Sequence, residues 1–169
     1  VLGSELYFEN TSFFRGNALN YGVNVSVFDS KYSLNDNTES RYDGRYNFGY
    51  TSNANVSYTI DISKSGKKRN LIFSLSNHLR GALREQSLSP VNGEFETLYD
   101  ARSPYDQTFR AYQRLDFRIV YNKQKSGSKK THRWSLDIQN LLNRENDGFR
   151  YYDPLLKTVF LLKQLGLVP

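Results

Sequence analysis

Two histidines, His78 and His132, are the side chains best suited to proton transfer near neutral pH. Each falls in a different alternating segment, and no Ser or Asp constellation can be read around either one. No catalytic residue is therefore predicted. No Walker-type or dinucleotide glycine motif occurs, so no cofactor is expected. The run SLNDNTES at 33–40 offers closely spaced oxygen side chains but lacks the spacing of a 12-residue calcium loop. It reads as a polar loop, with no metal. In RYDGRYNFGY at 41–50, Arg alternates with Tyr, as in single-strand nucleic-acid binders. The aromatic residues from Tyr46 on, however, continue the apolar face of the next segment, and no nucleic-acid partner is expected. Ligand capture is the remaining chemistry. Tyr99, Arg102, Tyr105, Phe149, Arg150, Tyr151 and Tyr152, beside Asp153, combine rings and guanidinium groups of the kind enriched at binding hot spots. The same residues could equally pack on one another as rigid hairpins.

Strands must position these groups. From Tyr46 to Ile62 (YNFGYTSNANVSYTIDI) every even position is apolar, aromatic or small, and every odd position is Gly or polar. At about 3.3 Å per residue such a strand reaches roughly 56 Å, or about 40 Å when tilted by 45°. The pattern recurs. Leu19, Tyr21, Val23, Val25 and Val27 alternate with Asn20, Gly22, Asn24 and Ser26. Leu71, Phe73, Leu75 and Leu79 oppose Asn70, Ser74, Ser76, His78 and Arg80. Leu115, Phe117, Ile119 and Tyr121 alternate with Arg114, Asp116, Arg118 and Asn122, and Trp134, Leu136 and Ile138 with Arg133, Ser135, Asp137 and Gln139. A period of two without any sustained period of 3.6 predicts strands. KTVFLLKQ at 157–164 is assigned to a strand by context. KSGKKR (64–69) and KQKSGSKK (123–130) read as short turns, whereas 29–45, 81–111 and 143–156 read as long loops. Short and long connections alternate, which predicts an all-β, antiparallel up-and-down meander with long loops on one rim and short turns on the other.

The second face decides the setting. It carries Asn, Ser, Thr and Gly with scattered Arg and Asp, rather than the Lys and Glu usual on a face meeting bulk water. On the first face of 46–62, rings at both ends flank a smaller middle: Tyr46, Phe48 and Tyr50, then Ser52, Ala54 and Val56, then Tyr58. Both features suit part of a transmembrane β-barrel, apolar toward lipid and polar toward an aqueous lumen, with aromatic girdles at the two interfaces. Arg114, Asp116, Arg118, Arg133 and Asp137 are then expected to face the lumen and form pairs across strands.

Composition agrees. Hydrophobic residues make up 38% of the chain and aromatic residues 15%, a combination ill-suited to a compact water-soluble core but too ring-rich for disorder. The net charge of +6 fits an anionic partner, and the cations cluster at Lys64, Lys67, Lys68 and Arg69 and at Lys123, Lys125, Lys129, Lys130 and Arg133. Without Cys there is no disulfide framework or thiolate metal site. No run of 18 apolar residues is present, which excludes a spanning helix and leaves a spanning strand open.

The runs YQRLDFRIVYN (112–122), THRWSLDIQNLLNREN (131–146) and KQLGLVP (163–169) resemble the end of TonB-dependent outer-membrane receptors of the Bacteroidetes type. NALNYGV (17–23), VFDSKY (27–32) and RYDGRYNF (41–48) resemble the same family, and SLDIQNLLNREN is the most specific of these segments. The resemblance implies a 22-stranded barrel around an N-terminal plug, energised through TonB, of which this chain would supply the last third or so as a single partial domain (1–169). It implies no enzyme and a location in the outer membrane. The partners it implies are outer-membrane lipid, the plug and remaining barrel, TonB acting through that plug, and an unidentified nutrient ligand. Two departures stand out. The plug, the TonB box and the family's closing C-terminal strand have no counterpart, and NYGVNVSVFDSKY joins runs that the family separates by a hairpin. The apolar phase there passes from odd positions to Phe28 and Tyr32, which leaves the strand order before residue 29 open. Two other architectures fit the alternation: a soluble β-sheet module binding glycan or nucleic acid, and a small self-closing outer-membrane barrel.

Overall fold

A computed structural model describes residues 1–34, 40–91, 94–97, 105–125, 127 and 129–168, with the backbone alone for 89–91 and 94–97. The chain is all-β. Its main sheet is antiparallel and contains β1 (Leu2–Phe14), β2 (Asn17–Asp29), β5 (Tyr50–Asp61), β6 (Lys67–Arg80), β11 (Tyr112–Lys125) and β12 (Thr131–Ile138), adjacent in that order. Four small antiparallel pairs extend beyond it. They are β3 (Lys31–Ser33) with β4 (Arg41–Asp43), β7 (Arg84–Glu85) with β10 (Gln107–Thr108), β8 (Leu88–Val91) with β9 (Glu94–Thr97), and β13 (Asp147–Asp153) with β14 (Thr158–Lys163).

The connections of the main sheet fall on two rims. At one rim, Arg15–Gly16 turns β1 into β2 with both φ values positive (49° and 83°), the conformation of a type I′ hairpin. The β5–β6 and β11–β12 turns lie at that same end. At the other rim, the chain between β2 and β5, between β6 and β11, and after β12 carries all four small pairs. The sheet is therefore a meander with tight turns below and long, partly folded loops above.

Register places opposite residues on one face, and the rows can be read across the sheet. One face carries Val23–Ala54–Asn77–Leu115, then Tyr21–Val56–Leu75–Phe117–Ile138, then Leu19–Tyr58–Phe73–Ile119–Leu136, then Ile60–Leu71–Tyr121–Trp134. The other carries Asn24–Asn53–His78–Arg114, Gly22–Asn55–Ser76–Asp116 and Asn20–Ser57–Ser74–Arg118–Asp137. Among the described residues, no second layer closes over the first face. Trp134 is 70% exposed, Leu136 55% and Val56 37%, and only Phe109 and Val120 among the described apolar residues are buried. A soluble sheet of this size would hide such rows against a partner sheet or helices.

Two segments depart from the periodicity. The strand predicted from Tyr46 begins only at Tyr50, because Gly49 takes φ +75° and swings 44–48 out of line. There the Asn47 side chain ties the turn together, accepting from the Ser30 amide (2.9 Å) and donating to Asp29 (2.8 Å) and Asp43 (2.7 Å). At the change of phase after Val27, β2 continues unbroken to Asp29, paired with β1 on one side and β5 on the other. Phe28 turns to the polar side and meets Phe48 edge-on at 6.3 Å. The chain upstream of residue 29 thus enters the sheet as β1 and β2, joined by a two-residue turn.

Gly81, just past β6, is the tightest point in this region. A Cβ there would lie 1.8 Å from the Phe48 carbonyl oxygen. Gly81→Ala is expected to push the 44–50 turn off the end of β6 and to cost about 1–3 kcal/mol. Denaturant unfolding checks this, and an unchanged midpoint would contradict the packing described.

Candidate functional site

The long-loop rim gathers the chemistry. β7 sits at its centre, held by short pairing to β10 and by the Arg84 amide, which donates to the Arg45 carbonyl (3.3 Å). Arg84 bridges three segments: its guanidinium meets Asp43 at 3.0 Å and donates to the Tyr105 carbonyl at 3.4 Å. Across the gap, β13 brings Arg150 to Glu85 in an ion pair and stacks its guanidinium 4.8 Å from the Phe109 ring centre. The result is a cleft of about 270 Å³ lined by Arg45, Glu85, Gln86, Tyr105, Phe149 and Arg150. It combines two guanidinium groups, one carboxylate, an amide and two rings, which suits a small polar or anionic group held edge-on by aromatics.

Of the seven ligand-contact candidates, Tyr105, Phe149 and Arg150 come together at this cleft. Tyr151 stands on the Phe149 side of β13, its ring 6.3 Å from that of Phe149 and stacked on Phe160 at 5.7 Å, but does not line the cleft. Tyr152 is half-buried on the face of Arg150 but does not line the cleft. Tyr99 and Arg102 lie outside the described residues, as does most of the 33–40 loop. Arg45, Glu85 and Gln86 were not among the ligand candidates. No local signal marks them, since only the pairing of β7 with β10 and the Arg84 bond to Arg45 bring these segments together.

On the polar face of the sheet, a shallow concavity of about 440 Å³ exposes Ser57, Ser74, Ser76, His78, Asp116, Arg118 and Asp137. His78 Nδ1 lies 2.8 Å from the Asn53 amide oxygen, and its Nε2 faces Asp116 at 3.9 Å. Among the described residues no serine oxygen is bonded to His78, so no nucleophile–base pair is assembled. Asp116 pairs instead with Arg114 (2.9 Å), and Arg118 pairs with Asp137 across β11–β12. Arg133 stands opposite Asn122. His132, by contrast, lies on the apolar face.

The segment SLDIQNLLNREN has a structural task. Asn140 is buried at φ 54°; its side chain donates to the Arg144 (2.9 Å) and Leu165 (3.3 Å) carbonyls and accepts from the Arg144 amide (3.2 Å). Asn146, also buried, exchanges two bonds with the Gln113 backbone, and Asn143 accepts from the Leu167 amide (2.9 Å). Arg144 reaches Gln113 and the Ala111 carbonyl. These amides clasp β11, the loop after β12 and residues 164–168, and the clasp sets the position of β13 and hence of Arg150.

Asp147 completes the junction. The Arg110 guanidinium and backbone amide both bond to its carboxylate, holding its pKa below the ordinary carboxylate value. Its folded pKa being the lower one, the stabilisation is complete above about pH 4 and is lost as pH falls through the folded value. Amide protection at Arg110 and Gln113, with the intrinsic exchange rate at each pH divided out, is therefore expected to hold down to about pH 4 and to fall only below it. A loss of protection already at pH 6 would contradict the assignment.

Comparison with protein-family models, curated proteins and solved structures gives no match to this chain.

Proposed function

We propose that this chain is barrel wall from a TonB-dependent outer-membrane receptor, contributing strands and outward loops to energy-coupled nutrient uptake. The observation that carries the reading is the uncovered apolar face of a single-layer meander, backed by a face of Asn, Ser, Thr and paired charges. Lipid would wet the first face and an aqueous lumen, with its plug, the second. The ten residue steps from Tyr50 to Ile60 run about 33 Å along the strand, or about 25 Å at a 40° tilt, the height of the apolar band of outer-membrane barrels. The separation of turns and loops onto two rims supports the same arrangement, with the short turns facing the periplasm and the long loops outside. On that orientation the Arg45–Glu85–Tyr105–Arg150 cleft faces the medium and is the place for a nutrient ligand. The runs from NALNYGV to KQLGLVP that resemble this family lie along the strands and the clasp.

In this role the chain has no catalytic task. Its partners are outer-membrane lipid and the rest of a receptor, including a plug through which TonB would act. Among the described residues, the outer edges of β1 and β12 pair with no strand, apart from the Gln139–Val168 bridge just past β12, and could receive neighbouring strands. A soluble binding module would need the Leu19–Tyr58–Phe73–Leu136 side covered, and a self-closing barrel would need β1 paired with β12. Purification without detergent tests the proposal: the full chain is expected to aggregate, and to become dispersed and β-rich only with detergent or lipid. A monomeric, folded, detergent-free product would overturn it.

A further inference from the structure

We infer that the outward side of the short-turn rim is a binding surface for anionic phospholipid headgroups. The inference rests on the barrel-wall reading and names a partner for one of its rims. Below the row Ile60–Leu71–Tyr121–Trp134, the same face continues into Arg69–Lys123–His132 and then into Lys67–Lys125, with Lys64 bridged to Lys67. Rings and apolar groups thus give way within one residue pair to cations. That order matches passage from acyl chains through the interface to headgroups.

Water alone does not account for this rim. Arg69 stands directly opposite Lys123, and Lys67 directly opposite Lys125, pairings that repel. No acid occurs between Asp61 and Glu85 or between Asp116 and Asp137 to offset them. Among the described residues, the Arg69 Nε is shielded from solvent and meets no hydrogen-bond acceptor. Phosphate groups lying between the strands would relieve the repulsion and supply the acceptor. A nucleic acid would use the charge but not the Tyr121–Trp134 row beside it, which favours a lipid surface.

The lone tryptophan, Trp134, reports directly on this boundary. The experiment uses the full chain in neutral phosphatidylcholine nanodiscs, with phosphatidylglycerol added and its retention read by native mass spectrometry. Quenching of Trp134 by brominated acyl chains is read in parallel. Phosphatidylglycerol is expected to be retained in preference to phosphatidylcholine. Arg69→Gln with Lys123→Gln is expected to weaken that preference about 25-fold, at roughly fivefold per cation near an anionic surface. Lys68→Gln with Arg133→Gln removes the same charge from the same rim but from the polar face, and is expected to change it little. Equal effects of the two pairs would overturn the inference, leaving only net charge. Equal retention of both lipids with Trp134 still quenched would overturn it while sparing the barrel-wall reading. Absence of quenching would overturn both, and tighter binding of a short single-stranded oligonucleotide, lost in the Arg69/Lys123 pair, would assign the rim to nucleic acid instead.

Discussion

Leu75→Arg is expected to destabilise the sheet in lipid by about 2–4 kcal/mol, the cost that the proposed barrel-wall reading gives a cation at mid-depth on the side assigned to lipid. Leu75 sits in the row Tyr21–Val56–Leu75–Phe117–Ile138, about midway between Tyr50 at one rim and the Tyr121–Trp134 row at the other, and is 37% exposed. Arginine one residue on, at Ser76, is expected to cost less than about 1 kcal/mol, because that side chain points to the polar face between Asn55 and Asp116. The contrast matters more than either value. Both variants add the same charge to the same strand, so propensity and net charge cancel and only the face differs. Urea unfolding from lipid vesicles measures it, and equal costs would mean that the two faces do not meet different solvents.

Asn140→Ala is expected to cost about 3 kcal/mol, with the damage confined to the upper rim. Alanine would leave the Arg144 and Leu165 carbonyls and the Arg144 amide without their present partner in a buried setting. It would also have to adopt φ 54°, which alanine tolerates poorly. Asn140→Gly removes the second cost but not the first, and is expected to lose about 1 kcal/mol less. Hydrogen exchange should quicken at Leu141, Arg144 and Val168, whose amides are held by this clasp and by the Gln139 pairing, while β5 and β6 keep their protection. Loss of protection throughout the sheet would show that the segment holds more than the rim.

Much of the sheet was legible because strict alternation admits one reading wherever small polar and apolar side chains take turns. β2, β5, β6, β11 and β12 follow from it, as do the turns between them. β1 was not, since Tyr7 lies among Glu5 and Glu9 on the polar side and breaks the contrast with Leu6 and Phe8. The alternation from Tyr46 to Phe48 misled for a different reason. Aromatic residues spaced by two also suit a turn in which Tyr46 and Phe48 pack edge-on at 6.0 Å, and nothing local announces the Asn47 bonds to Ser30, Asp29 and Asp43. The small pairs within the loops are shorter than the window in which periodicity can be read, and β7 and β10 hold two residues each.

The candidate cleft was legible only in part. Aromatic and Arg content pointed to the right loops, but not to which residues of β13 would reach the cleft. Phe149 lines the cleft while Tyr151, on the same side of β13 with its ring 6.3 Å away, does not, because it lies farther along the strand against Phe160. Glu85, which neutralises Arg150, lies 65 residues away in the chain. SLDIQNLLNREN was singled out as the most specific part of a family resemblance; in the structure its Asn140, Asn143, Arg144 and Asn146 side chains bond to backbone, a task that implies no ligand.

The central claim is that one face of this sheet meets lipid and the other water. The chain lacks cysteine, so single cysteines placed one at a time from Ser52 to Asp61 can each carry a unique spin label. In bilayers, collision with oxygen should peak at the even positions through Ile60, and collision with a water-soluble nickel complex at the odd ones. A profile without this two-residue period, or with the nickel maxima at Val56 and Tyr58, would contradict it.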